Sequence, residues 1–449
     1  MGLGLLGGAL NDAKFLLECG AVLTITDLKS AEELKIPINK LKKWKNIKYV
    51  LGYHDLEDFK IADFILQPGN VPPDSVYLQE ARKNNIPIHE SESLFMNFVE
   101  DVTVIGVTGT RGKTTTTCLI YEILKSVFDK KVHLGGNVKG TSTLSLLKKV
   151  HPKDIVVAEL DSWCLHGIGK TGKSPQISVF TNFMPDHLNY YLKGSRNEEE
   201  AKQKYFDDKA QIYLNQKKEN FLICGDKISE KIGYVKSNKI VTNKNDVPKN
   251  WKLKVKGEHN LENIACAIAV ARVLKVDEKI IKKAVENFSG VEGRLQFIKE
   301  YKGIKIYNDT TSTTPDATIV ALKSLGRGST LTKNIVLIVG GADKNLNMSG
   351  LLKEIPKYCK SLILLPGTGT DKLGISNLEY GKWNKYKIQN SIFNIRTTLA
   401  KDLNEATEFA LDNAKHGDIL LFSPAFASFG MFKNEFDRGN KFIKIINNL

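Results

Sequence analysis

Residues 106–117 read Gly-Val-Thr-Gly-Thr-Arg-Gly-Lys-Thr-Thr-Thr-Thr, and no other stretch restricts the fold as strongly. The run Val102-Thr-Val-Ile105 before it has β character. Cys118-Leu-Ile-Tyr-Glu-Ile-Leu124 after it has the apolar spacing of a helix. Strand, glycine loop and helix in that order make a phosphate-binding loop, in which backbone N–H groups and a helix N-terminus face anionic oxygens. On this reading Lys113 reaches the β- and γ-phosphates and the Thr114 hydroxyl holds Mg²⁺. Gly109 and Gly112 let the backbone come close. The standard spacing puts its first glycine at position 107, where Val107 stands, and the glycine is instead Gly106. The plain rival is a Gly/Thr-rich turn with a chance lysine, and the agreement of strand, loop and helix argues against it.

A chain of 449 residues exceeds one compact core and points to about three domains. With 42% apolar and 26% charged residues the composition is that of a globular protein. No run approaches the ~18 apolar residues of a membrane span. Asn11, Asp12 and Lys14 interrupt the start too early for a signal peptide. The six cysteines are scattered without a CxxC pair, which suits reduced thiols in the cytoplasm. The net charge of +15 raises nucleic-acid binding as a possibility. The lysines are dispersed, with no basic stretch interleaved with aromatics, so compositional bias and anionic small substrates are the better reading, with no nucleic-acid partner.

Strand–helix alternation predicts an α/β fold of three domains. Residues 1–98 form a Rossmann-like N-terminal domain. It opens with the G-x-G-x-x-G of Gly2, Gly4 and Gly7, then a helical stretch, then Val22–Asp27 ending in an acid. That motif ordinarily follows a strand, so the domain is expected to lack its first strand. Gln67-Pro-Gly-Asn-Val-Pro72 is a turn at a strand's carboxyl end. Residues 99–290 form a central P-loop ATPase-like domain with a mostly parallel sheet. Residues 291–449 form a C-terminal Rossmann-like α/β domain. Its strands run into polar loops at Asn308–Pro315, Gly340–Lys344, Pro366–Gly369 and Ser423–Ser428.

Three central groups could serve the phosphate loop. Glu159 ends the buried run Ile155-Val-Val-Ala-Glu159 and can hold Mg²⁺ with Thr114. His187 follows the next strand end, and Lys209 lies on a predicted helix. Any one of them alone is as well explained by a solvated strand end or a turn histidine. Nucleotide-scale domains on both sides of an ATP site suggest a two-substrate ligase or kinase.

These residues resemble the Mur ligases, the ATP-dependent amide-forming enzymes of peptidoglycan precursor synthesis, over nearly the whole chain. Thr108–Thr116 looks like the family's ATP loop, including its off-register glycine. Asn182 with Asp186-His187-Leu188 resembles its metal-site signature. Gly257-Glu-His-Asn260 with Asn263 resembles its G-x-H-N-x-x-N segment, and Gly293-Arg294-Leu295 its interdomain arginine. Leu421–Phe429, with Phe432, Glu435 and Arg438-Gly439, resembles its C-terminal signature. Within the family the likeness is greatest to the member that uses D-glutamate.

The resemblance implies that ATP phosphorylates the terminal carboxylate of UDP-N-acetylmuramoyl-L-alanine, and that the D-glutamate amine attacks the acyl phosphate. It assigns Gly109, Thr110, Arg111, Gly112, Lys113, Thr114, Thr115, Asn260, Arg294 and Asp309 to ATP. It assigns Thr114, Glu159, His187 and Lys209, the last as a carbamate, to Mg²⁺, with Lys113, His187 and Lys209 catalytic. Gly4, Leu5, Asp27, Leu28, Gly69 and Asn137 would meet the UDP substrate, and Thr313, Lys344 and Ser428 the amino acid. A monomer is expected. Two departures stand out. Asn308-Asp-Thr-Thr-Ser-Thr313 replaces Asn-Asp-Ser-Lys-Ala-Thr, so Thr311 takes the place of a lysine of the amino-acid site. Asp161-Ser-Trp-Cys-Leu165 replaces Ser-Ser-Phe-Gln-Leu. Other readings stay open: a family member using L-glutamate or another amino acid, a folate polyglutamylating ligase, and an NAD(P)-linked oxidoreductase built on Gly2–Gly7.

Overall fold

The computed structural model describes the chain except residues 5–6, 70, 73, 139–140, 185, 187, 194, 256, 327–332, 345, 374–378 and 388–393. Contacts divide the chain into two units, residues 1–251 with 261–285 and residues 252–260 with 286–449. The first unit begins with the helix Gly8–Glu18 and strand β1 (Leu23–Asp27), which pairs in parallel with β2 (Ile47–Leu51). A second parallel pair is β3 (Ile65–Leu66) with β4 (Ile88–His89). The Met1 amino group donates to Leu66 O at 2.9 Å, and Gly2 N–H donates to Thr26 O at 2.7 Å. The first two residues therefore bridge the two pairs. Leu3, Leu10, Leu17, Ile25 and Leu41 form one small core here, and Phe59, Ile65, Leu78 and Ala81 another.

The middle region builds a six-stranded sheet from β5 (Thr103–Thr108), β6 (Val132–Gly136), β7 (Ile155–Glu159), β8 (Ile177–Phe180), β9 (Phe221–Gly225) and β10 (Asn238–Thr242). The order is β10-β9-β8-β5-β7-β6 and every pairing is parallel. Near-continuous apolar runs such as Ile155-Val-Val-Ala suit strands covered on both faces. The chain lies on one side of β5 through β6 and β7 and on the other from β8 onward. The carboxyl end of β5 is thus the topological switch point, where open α/β sheets bind ligands. Gly106 lies inside β5, and a Cβ there would sit 2.7 Å from Pro175 Cγ and 2.9 Å from Leu160 Cδ1. The off-register glycine therefore serves strand packing rather than phosphate contact.

The second unit holds a seven-stranded sheet of β11 (Gln296–Tyr301), β12 (Ile304–Asn308), β13 (Ile335–Gly340), β14 (Cys359–Leu365), β15 (Asn384–Lys387), β16 (Asn394–Leu399) and β17 (Ile419–Phe422). Its order is β11-β12-β17-β13-β14-β16-β15, parallel except for the edge strands β11 and β15. Apolar clusters line both faces, with Leu337, Val339, Leu362 and Leu421 on one and Val336, Ile338, Ile363 and Phe422 on the other. The molecule is mixed α/β with parallel sheets. Among the described residues no helix is long and apolar enough to cross a membrane.

Candidate active site

The phosphate loop leaves β5 at Thr108 and enters the helix Lys113–Phe128. Gly109 (φ 143°) and Gly112 (φ 81°) hold conformations that side chains resist, which lets the loop turn tightly into the helix N-terminus. A Cβ at Gly112 would lie 2.1 Å from Asn263 Oδ1, so the second asparagine of the G-x-H-N-x-x-N segment packs on the loop. The end of β8 laces the other side. Thr110 N–H donates to Asn182 O (2.9 Å), Arg111 N–H to Asn182 Oδ1 (2.9 Å), and Thr181 Oγ1 to Arg111 O (2.7 Å). Thr110 Oγ1 donates to Met184 O at 3.0 Å, and the Arg111 guanidinium lies 3.7 Å from Asp186. Lys113 Nζ donates to Gly109 O and Thr110 O, both at 3.2 Å. Thr114 and Thr115 form the first turn of the helix, at the positive end of its dipole.

Strand register adds an acid. Glu159 pairs with Val107 on β5 and with Gly136 on β6, and its side chain is buried. A Cβ at Gly136 would lie 2.0 Å from Glu159 O, so only glycine allows this approach. Asn137 N–H donates to Glu159 O at 2.8 Å, which fixes Asn137 at the same sheet edge. Lys209, on the helix Glu198–Leu214, is 1% exposed. Its Nζ donates to Gly109 O at 2.9 Å and stands 4.8 Å from the Tyr205 ring centre. Burial, then the nearby Lys113 charge, lowers its pKa to about 7. Thr114 and Glu159 offer the hard oxygen donors that Mg²⁺ takes, whereas the bare Lys209 ammonium repels a cation. His187, like Leu5, lies outside the described residues.

A cavity of about 830 Å³ lies within the first unit, lined among others by Asp12, Gly69, Glu92, Asn137, Ser142 and Asp161. It gathers Gly69 and Asn137 of the residues expected at the UDP substrate, while Gly4, Asp27 and Leu28 lie outside its lining. The Asp27 carboxylate accepts from Gly4 N–H (3.0 Å) and Lys29 N–H (2.9 Å), and Leu28 is exposed. Gly69 packs on Trp163, where a Cβ would lie 2.7 Å from Trp163 Cβ. Asp161 caps the helix Ser162–Gly169 by accepting from Cys164 N–H, so its departure from the family pattern keeps an N-cap residue.

In the second unit the loop after β12 is the hub. Asp309 Oδ1 accepts from Leu295 N–H (3.0 Å), and Oδ2 from Ser312 Oγ (2.6 Å) and Ser423 Oγ (2.7 Å). Burial outweighs these bonds and pushes its pKa up to about 6. Lys344 Nζ donates to Thr313 Oγ1 at 2.9 Å. Burial lowers the Lys344 pKa. Ser428 follows Ala427, whose backbone pairs with Ala342 two residues before Lys344. Arg294 is exposed, and Asn260 is buried in the second unit. Arg438 has no exposed surface. It donates through Nε to Thr310 Oγ1 (3.1 Å), Nη1 to Phe426 O (3.1 Å) and Nη2 to Thr310 O (2.8 Å).

Among the described residues, the phosphate loop, Glu159 and Asn137 lie at the carboxyl edge of the six-stranded sheet, and Asp309, Thr313, Lys344 and Ser428 follow strand ends of the seven-stranded sheet, whereas Gly4, Asp27 and Leu28 lie at neither. Asn263, Thr181 and Tyr205 were not singled out for roles at the phosphate loop. The spacing of Asn263 three residues after Asn260 was the available signal for it. Thr181 and Tyr205 carry none, because their roles come from packing.

Two family models match: the Mur ligase middle domain over residues 107–249, and the Mur ligase, glutamate ligase domain, over residues 293–426. A UDP-N-acetylmuramoylalanine–D-glutamate ligase of Borreliella afzelii is 37% identical, over 100% of this chain and 97% of its own. One from Roseiflexus is 32% identical over 99% and 97%. The UDP-N-acetylmuramate-alanine ligase MurC of Thermotoga maritima is similar in structure, with a TM-score of 0.58 at 19% identity, over 99% of this chain and 98% of its own. The MurF ligase of the same organism, in complex with ADP, gives 0.55 at 18% identity, over 88% and 99%.

Proposed function

The chain belongs to the Mur ligase family, and from that membership we propose that it is the ATP-dependent ligase joining D-glutamate to UDP-N-acetylmuramoyl-L-alanine. In this reading residues 1–98 hold the UDP substrate, 99–290 hold ATP and 291–449 hold the amino acid, in a monomeric cytoplasmic enzyme. The observation that carries it is the register of β5, β6 and β7. It puts the phosphate loop, Glu159 and Asn137 on one sheet edge, where a nucleotide's γ-phosphate and a muramoyl carboxylate could meet.

The substrate carboxylate attacks the γ-phosphorus and ADP departs, leaving an acyl phosphate. The D-glutamate amine then attacks the acyl carbon, and phosphate leaves from the tetrahedral intermediate. Lys113 swings from Gly109 O and Thr110 O to the γ-phosphate, where its charge offsets that of the transition state. The N–H groups of Lys113 to Thr115, in the first turn of the helix, bind phosphate oxygens, aided by the Arg111 side chain. Asn260 and Arg294 meet the nucleotide. Asp309, with one acceptor direction left, orients adenosine. Thr313, Lys344 and Ser428 bind the glutamate carboxylates. Thr114 and Glu159 would hold one Mg²⁺, and His187 with carbamylated Lys209 a second. When bound, the ions supply charge neutralisation of the phosphates. A pKa near 7 leaves much of Lys209 neutral at physiological pH. Its lone pair can then attack CO₂, forming an N–C bond and losing a proton to solvent, which turns a repelling cation into an anionic ligand.

The test is phosphate release from ATP and Mg²⁺ with UDP-N-acetylmuramoyl-L-alanine, comparing D-glutamate, L-glutamate, lysine and no amino acid. Release that requires D-glutamate supports the reading. Release with another amino acid moves the substrate, an outcome that Thr311 in place of a lysine keeps in view. Release with none of them overturns it.

A further inference from the structure

Thr311 stands where the family pattern carries a lysine of the amino-acid site, yet its bonds run the other way. Its hydroxyl donates to Gly293 O at 2.8 Å, and its N–H donates to the same oxygen at 3.0 Å. On the far side of Arg294, Leu295 N–H donates to Asp309 Oδ1 at 3.0 Å. Both neighbours of Arg294 have left-handed backbones, Gly293 at φ 74° and Leu295 at φ 44°. A leucine there is strained, and such strain persists only where the surroundings over-determine it, as they do in ligand clamps. A Cβ at Gly293 would meet Thr310 Cγ2 at 2.9 Å and Thr311 Cγ2 at 3.1 Å, so the turn lies flat on the loop. The result is an exposed guanidinium on a strained turn pinned on both flanks, a geometry suited to a doubly charged oxyanion.

We propose that Thr311 is a positioning residue that holds Arg294 for the nucleotide phosphates and takes no part in binding the amino acid. The inference rests on the reading in which Arg294 meets ATP. The hydroxyl fixes the peptide before Arg294, and Asp309 fixes the one after it. Without the hydroxyl, Gly293 O keeps only the Thr311 N–H, and the guanidinium loses part of its preset direction.

The experiment uses the full chain. Thr311→Val keeps the shape and the N–H but removes the hydroxyl, and Thr311→Ser restores it. Titration calorimetry with Mg²⁺-ADP should show about tenfold weaker binding for Thr311→Val, the worth of one hydrogen bond. Thr311→Ser should bind within about twofold of the parent. KM for D-glutamate should stay unchanged in Thr311→Val, and the double variant with Arg294→Ala should bind ADP no more weakly than Arg294→Ala alone. A raised KM for D-glutamate with unchanged ADP affinity overturns the proposal. So does full additivity with Arg294→Ala, or failure of Thr311→Ser to restore binding. A parent protein that binds ADP but releases no phosphate with D-glutamate overturns the assigned reaction instead, and the ADP titrations still decide the role of Thr311.

Discussion

The phosphate loop and the loop after β12 both leave the carboxyl end of a buried parallel strand, and both are rich in threonine. They are built in opposite ways. The phosphate loop works through backbone shape, with two positive-φ glycines, a helix start, and a lysine bonded to carbonyls three and four residues back. The loop 309–312 works through side chains tied to residues 14, 18, 114 and 125 positions away, and buried Arg438 reaches it across 128. The first takes its shape from local backbone geometry, with Thr181, Asn182 and Lys209 bonded to it from outside. The second is a junction that ties the Arg294 turn to the Ser423 loop. Local devices leave motifs, whereas junctions leave only scattered polar residues.

The contrast can be broken most sharply at Lys113. Lys113→Met should lower D-glutamate-dependent phosphate release about 10³-fold and leave the urea unfolding midpoint in place, since its role is electrostatic. A matching loss of stability would make the phosphate loop a junction too. Arg438→Ala should act in reverse. Losing three charged hydrogen bonds and leaving two carbonyls buried should cost about 3–4 kcal/mol of stability. Urea unfolding followed through Trp383, which packs on Phe409 in the second unit, measures this, and an unmoved midpoint would remove the junction.

Gly112→Ala tests the backbone device itself. Positive φ and the clash with Asn263 should cost about 2 kcal/mol, read as roughly thirtyfold weaker ADP binding by calorimetry. The last test turns on pH and belongs to Asp309. Its folded pKa, about 6, lies above the ordinary 3.8, so the folded state binds the extra proton in that window. That stability is fully present below 3.8 and is lost as pH rises through 6, at about 1 kcal/mol per pH unit. Asp309→Asn should flatten this slope in unfolding curves between pH 4 and 7. An unchanged slope would assign the titration to another group.

Much of the site was legible because its determinants are local. The glycines, Lys113 and Thr114 sit in one dodecapeptide, and an apolar run ending in Glu159 reads as a strand without any partner in view. Lys344 and Thr313 were named from separate loops, but their 2.9 Å bond was not readable. At the N-terminal G-x-G-x-x-G the structure adds contacts that the motif did not reveal. Its Asp27 is engaged by Gly4 and Lys29 backbone N–H groups and lies outside the lining of the cavity beside it.

By itself the sequence determined the alternation of strands and helices, the phosphate loop and the polar strand ends, because periodicity and turn chemistry act over a few residues. Only the tertiary structure decided that Gly106 is a packing glycine, that Asn263 sits on Gly112, and that Asp309 is spoken for by three internal donors. It also decided that Lys209 is buried deeply enough to titrate near 7. Burial and long-range hydrogen bonds set those properties, and both depend on which distant segments the sheets bring together.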